Sequence, residues 1–266
     1  MIRVRSNDAE IAYEVMGTGS PIMLLHPFPA DHEFWLPAAQ YLVSRYQVIL
    51  PDLRGHGDSS VGEGPATMEK HAADITRVLD HAEVGRLPFA GVSVGGYALF
   101  EFWRRYGGRV TALVLCNTKA QADSPEAKAS RLHAAAEVLE HGSEKFFEGM
   151  VPKLLGETTR NSRPNLVNGA LRMMRKMSAE NVAQVQRGMA ERPDSVTTLK
   201  TINVRTLVIT GDEDILTGPP EAEIMRQNIG GSELKIIRKA GHFSPWEQPE
   251  EVGHLLRQLF DSGHGA

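Results

Sequence analysis

The chain of 266 residues sets 29 lysines and arginines against 33 aspartates and glutamates, a net charge of −4, so no broad positive field draws nucleic acid or an anionic membrane to it. Hydrophobic residues make up 41% and charged residues 23%, which excludes a disordered or fibrous chain and supplies a sizeable core. Cys116 is the single cysteine, excluding an internal disulfide and any cysteine-based metal centre. Met1 to Asp8 lacks the uninterrupted apolar stretch of a signal peptide, and no segment is long enough to span a bilayer. The expectation is a cytoplasmic protein with a small-molecule partner, no nucleic acid and no membrane.

Strand-like runs recur along the chain at Glu10 to Val15, Ile22 to His26, Gln47 to Pro51, Leu87 to Gly91, Ala112 to Cys116, Val204 to Thr210 and Leu234 to Arg238. Helical patterns lie between several of them: Phe34 to Ser44, Met68 to His81, Val94 to Tyr106, Glu221 to Asn228 and Glu250 to Phe260. This alternation predicts an α/β fold with a mostly parallel central sheet and helices on both faces. The opening strands, joined through Gly17-Thr18-Gly19, offer an antiparallel pair at one edge. From about Ala120 to Thr201 the alternation stops, and Ala127 to His141, Glu144 to Leu155, Leu166 to Met177 and Ala179 to Met189 read as helices. The division expected is a core of residues 1–119 and 202–266 with a helical cap, 120–201, inserted before the strand at Val204. Met150, Met173, Met174, Met177 and Met189 either pack the cap helices together or line an adaptable apolar pocket beneath them.

Gly91-Val92-Ser93-Val94-Gly95 follows a short apolar run and precedes a helical pattern, the strand, sharp turn and helix of a nucleophile elbow. Side chains at Gly91 or Gly95 would collide in such a turn. The pattern alone is weak, and it gains weight only from a base and an acid elsewhere. A serine hydroxyl is a poor nucleophile near neutral pH and needs both. Of the ten histidines, His242 in Ala240-Gly241-His242-Phe243 follows the last strand, where a loop would return to Ser93. His71 and His81 share one helical pattern, His133 and His141 another, and His254 and His264 lie near the C-terminus, all read as solvated. Gly211-Asp212-Glu213-Asp214 directly follows the strand from Val204. Asp214 is taken as the carboxylate that orients His242, with Asp212 as competitor. No histidine and carboxylate spacing suits zinc, and Gly17-x-Gly19 does not complete a dinucleotide fingerprint, so no cofactor and no metal is called for.

The order serine, acid, histidine is that of the α/β-hydrolases. The chain resembles that fold family over essentially its full length, on four segments: His26-Pro27-Phe28-Pro29, Asp52-Leu53-Arg54-Gly55-His56-Gly57-Asp58-Ser59, the Ser93 elbow, and Gly241-His242 with Glu247-Gln248-Pro249-Glu250. The resemblance implies catalytic Ser93, Asp214 and His242, with an oxyanion hole made by the backbone amides of Phe28 and Val94. Pro27 stands where many relatives carry glycine. The Arg54 loop is given a structural role, with Arg54 and Asp58 able to pair. The acidic segment at Gly211, Gln248-Pro249-Glu250 and Ala190-Glu191-Arg192-Pro193-Asp194 look most like small bacterial esterases, cofactor-free perhydrolases and 3-oxoadipate enol-lactonases. What is implied is a serine hydrolase of small carboxylic esters or lactones. Alternatives are an enol-lactonase-like enzyme for a carboxylated lactone, using Arg160, Arg163, Arg172, Arg175 and Lys176 as an anion site, a carbon–carbon bond hydrolase, or a ligand-binding or signalling member of the fold.

Overall fold

A computed structural model describes residues 1–261; His264 lies outside the described residues. Eight strands form one sheet: β1 (Ile2–Ser6), β2 (Ala9–Met16), β3 (Ser20–Leu25), β4 (Tyr46–Pro51), β5 (Leu87–Val92), β6 (Val110–Cys116), β7 (Arg205–Gly211) and β8 (Glu233–Ile237). Their order is β1-β2-β4-β3-β5-β6-β7-β8, antiparallel at β1/β2 and β2/β4 and parallel from β4 onward. Ile22 to Leu25, Phe89 to Val92 and Ala112 to Cys116 are buried along their whole length, as strands covered on both faces must be.

Twelve α-helices accompany the sheet among the described residues: α1 (Leu36–Ala39), α2 (Met68–His81), α3 (Val94–Tyr106), α4 (Pro125–His141), α5 (Glu144–Leu154), α6 (Glu157–Ser162), α7 (Pro164–Met174), α8 (Ala179–Ala190), α9 (Val196–Leu199), α10 (Pro219–Asn228), α11 (Ser244–Glu247) and α12 (Pro249–Asp261). Helix α2 packs on α3, which lies against β5, and α1 packs on α12, giving two helical layers around the strands. Helices α4 to α9 fill the interval between β6 and β7, with α4 packed along α8. None of the described helices is long and apolar enough to cross a membrane.

The predicted elements differ from the structure where sequence carries the weakest signal. Strand β1 was not among the expected runs, because its alternation of exposed and buried residues is short and charged. The Gly17 to Gly19 turn does not make a hairpin: β2 pairs with β1 and β4, while β3 runs parallel between β4 and β5. The helix expected from Phe34 to Ser44 is a 3₁₀ turn, His32–Trp35, followed by the single turn of α1, since Pro37 lies just inside that start. The helix expected from Leu166 to Met177 is α7, which begins earlier, at Pro164, and ends at Met174, and the short α6 before it was not among the expected helices. Pro152, by contrast, is tolerated within α5.

The Arg54 segment also departs from expectation. Arg54 is fully buried and is held by Asp74, with bonds of 2.8 Å and 2.7 Å, and by Asp8 at 2.7 Å, not by Asp58. His71, expected to be solvated, is fully buried beside it. Burial and the Arg54 charge push its imidazole from its ordinary value near 6.5 down to about 3. His56 is lowered too, by burial and by the adjacent His26 and His71. Both groups bind a proton more readily in the unfolded chain, so their contribution to stability is complete above pH ~6.5 and drains as pH falls, for His71 toward about 3, by at most about 1.4 kcal/mol per pH unit per histidine. Denaturant unfolding between pH 7 and pH 4 should therefore show a falling midpoint, and His71→Phe should flatten that slope.

Candidate functional site

The carboxyl ends of β5, β6, β7 and β8 meet on one edge of the sheet, next to the point where strand order turns back between β4, β3 and β5. In open α/β sheets that edge is where ligands bind. Ser93 follows β5 and precedes α3 with φ +52° and ψ −113°, a backbone region that side chains rarely occupy. Its N–H lies 3.1 Å from both the Cys116 and the Asn117 carbonyls, and its own carbonyl accepts the Thr118 hydroxyl at 2.9 Å. The flanking glycines are there for room. A Cβ on Gly91 would stand 2.7 Å from the Gly95 backbone, and one on Gly95 would stand 2.6 Å from the Leu25 carbonyl oxygen. Backbone atoms cannot yield at those distances, so the turn requires both glycines.

His242 and Asp214 are buried at the neighbouring strand ends. The His242 Nδ1 atom lies 3.0 Å from Asp214 Oδ2, which orients the ring and leaves Nε2 for other chemistry. That carboxylate is heavily supplied with donors. Its Oδ2 also accepts the Asn117 amide at 2.9 Å and the Thr217 hydroxyl at 3.0 Å, and Oδ1 accepts the Leu216 and Thr217 N–H groups at 2.8 Å and 3.1 Å. Burial pushes the Asp214 carboxyl up, but His242, Asn117 and the Leu216 amide outweigh it and hold it well below the usual carboxylate range. Asp212, the competitor, is exposed and among the described residues accepts only the Ala240 amide, at 3.4 Å.

Ser93, His242 and Phe28 line one cavity of about 310 Å³. Phe28 sits in a loop braced by His26, whose Nδ1 lies 2.9 Å from the Pro27 carbonyl while its Nε2 accepts the Leu53 amide at 2.8 Å. Pro27 thus leaves this loop ordered by a neighbouring side chain. Val94 is the first residue of α3, so its N–H is one of the helix-end donors without an intrahelical partner. Met150 and Met189 line the cavity, whereas Met173, Met174 and Met177 are buried in packing.

Two further residues, Asn117 and Glu247, hold this arrangement. Asn117 donates to both Asp214 and the Gly241 carbonyl (3.2 Å), and accepts from Ser244. Glu247, read only as part of a motif, is almost fully buried, with its two oxygens taking the Gly241 amide at 2.8 Å and the Gly156 amide at 2.9 Å. It therefore ties the His242 loop to the helices between β6 and β7. Burial raises its carboxyl. The one available signal was the left-handed backbone that asparagine tolerates at Asn117, φ +42°, and a sequence does not display backbone angles.

The basic run suggested as an anion site is engaged elsewhere. Arg160 donates to the Leu155 carbonyl, Arg163 to that of Glu247, Arg175 pairs with Glu144, and Lys176 reaches Asp31 and Glu33 at 2.8 Å each. Arg172 is exposed, and none of these five lines the cavity. Asp31, His32 and Asp52 come close enough to share an ion. Their oxygens already serve protein donors, the His32 ring and amide on Asp52 at 2.8 Å and Lys176 on Asp31. Cys116 is fully buried with its thiol pushed up by burial, a core residue.

The alpha/beta hydrolase fold family model matches residues 20–249. The chain belongs to that family. It is 27% identical over 263 residues to 3-oxoadipate enol-lactonase 2 of Acinetobacter baylyi, covering 96% of this chain and 94% of the relative. Among solved structures, a thermophilic esterase from Thermogutta terrifontis with malate bound is 38% identical with a TM-score of 0.96, covering 99% of this chain and 100% of that one. The enol-lactonase of Burkholderia xenovorans LB400 shares the fold, with a TM-score of 0.91 at 23% identity over 98% of this chain and 100% of that one. The α/β hydrolase thus sits among hydrolytic enzymes acting on small molecules.

Losing the Asn117 amide would leave Asp214 short of a buried donor and Ser244 without its acceptor. Asn117→Ala should lower the unfolding free energy by about 2–3 kcal/mol, measured by urea denaturation with the m-value unchanged.

Proposed function

We propose that this α/β hydrolase cleaves small carboxylic esters or lactones through an acyl-enzyme on Ser93. The observation that carries the reading is a serine on a left-handed turn sharing a cavity with a histidine whose Nδ1 is 3.0 Å from a buried carboxylate. Ser93 Oγ attacks the carbonyl carbon as its proton passes to His242 Nε2, and the imidazolium is stabilised by Asp214. The carbonyl oxygen, now an oxyanion, is received by the amides of Phe28 and Val94. Collapse expels the alcohol, which takes the proton from His242. Water then attacks the acyl carbon, gives its proton to the same nitrogen, and Ser93 leaves reprotonated. Ester and water become acid and alcohol. The helical segment 120–201 acts as a cap, contributing Met150 and Met189 to the cavity wall.

An organophosphate such as diisopropyl fluorophosphate should label Ser93, and p-nitrophenyl acetate and butyrate should be hydrolysed. Ser93→Ala should cut kcat by about four orders of magnitude or more with unchanged folding. Asp214→Asn should cost about as much, since it upsets the His242 tautomer. An unlabelled serine together with ester turnover that survives Ser93→Ala rejects the assignment.

A further inference from the structure

We propose that the cavity beside Ser93 is shaped for an ester or lactone that carries a second, ionised carboxylate, and that Lys119 receives that carboxylate. The proposal rests on the ester-hydrolase reading and narrows its substrate class. Asp123 is the one carboxylate lining the cavity among the described residues, and three cations lean on it. Its Oδ2 accepts Arg131 Nε at 2.6 Å and is 2.7 Å from Arg192 Nη1, while its Oδ1 is 3.8 Å from the Lys119 ammonium.

The two arginines are otherwise satisfied. Arg131 also donates to Gln186 Oε1 at 3.0 Å. Arg192 donates to the Gln121 carbonyl at 2.9 Å and lies over the Tyr97 ring, 4.3 Å from its centroid. Lys119 is different. Its side chain is only 25% exposed, yet 3.8 Å is beyond hydrogen-bond reach, and among the described residues no acceptor meets its ammonium. Glu221 on α10 acts on it only through space, and burial with the Arg192 charge already disfavours its protonated form. Lys153 on α5 lines the same cavity, exposed and without an ion-pair partner among the described residues.

Three cationic side chains therefore border a space holding one carboxylate, and that carboxylate is spent on the arginines. A partly desolvated ammonium with no acceptor is costly, and a ligand carboxylate offsets the cost with charge-assisted hydrogen bonds. The cavity also offers Phe28, Met150 and Met189, apolar surface for a short methylene chain between ester and carboxylate. A ligand lacking the charge leaves the ammonium without a hydrogen-bond acceptor, which is how a polar site discriminates.

The test uses two matched pairs: mono-p-nitrophenyl glutarate against its methyl ester, with the carboxylate on the acyl side, and 4-acetoxybenzoate against its methyl ester, with the carboxylate on the alcohol side. At low ionic strength one pair should show a kcat/KM preference of about tenfold or more for the anion, carried mainly by KM and reduced by salt. Lys119→Gln should reduce that ratio about tenfold, and Lys119→Arg should retain part of it, with thermal unfolding confirming that both variants fold. Equal or neutral-favouring ratios in both pairs, or a ratio untouched by Lys119→Gln, overturn the proposal while leaving ester hydrolysis intact. If no ester is cleaved and Ser93 resists the organophosphate, the ester-hydrolase reading falls. Calorimetry with glutarate then decides the anion site: binding that disappears in Lys119→Gln supports it, and no binding to the wild type ends it.

Discussion

The conformation of Ser93 is the constraint around which the rest is arranged. A left-handed residue between a parallel strand and a helix is strained, and here it persists because the surroundings leave no alternative. Glycines stand on both sides, the N–H of Ser93 faces two carbonyls at the end of β6, and Thr118 holds its carbonyl. The result is a hydroxyl lifted above the sheet edge with the first amides of α3 beside it. Every other feature of the site is placed relative to that turn.

The carboxylate beyond the end of β7 illustrates how a buried charge is made tolerable. Asp214 accepts hydrogen bonds from Asn117, from Thr217 and from two backbone amides in addition to facing His242. Such satisfaction keeps it ionised, and an ionised partner fixes the imidazole. Glu247 is buried to a similar degree with fewer donors, and it is correspondingly pushed up. Its value is positional: one carboxylate bridges the His242 loop and the start of α6, so the histidine and the helical segment above it share a support. Electrostatics also organise the cavity beyond the reacting groups, where Asp123 is outnumbered by the cations around it.

The chain's own pattern carried much of this. Alternating apolar runs and helical stretches are sufficient to announce a parallel sheet, because buried strands must be apolar on both faces. Ser93 was visible directly after a strand, and Asp214 and His242 in the short loops that follow the last two strands, and the proposed roles follow from those positions. Local chemistry also accounts for α2 and α3, whose bounds match the pattern.

What only the tertiary structure decided are matters of convergence and pairing. Strand order is not encoded locally, so the turn at Gly17 looked like a hairpin and is not one. Arg54 found Asp8 and Asp74, both far from the neighbour that sequence suggested. Arg160, Arg163, Arg175 and Lys176 are engaged by carbonyls and carboxylates that fold against them, whereas among the described residues the Lys119 ammonium meets no hydrogen-bond acceptor at the cavity wall. Asn117 carried no signal in the sequence, and Glu247 stood there only as part of a motif. Residue type sets what a side chain is able to bond, but its partner is chosen by the packing of distant segments, and burial and charge balance come into being only when those segments meet.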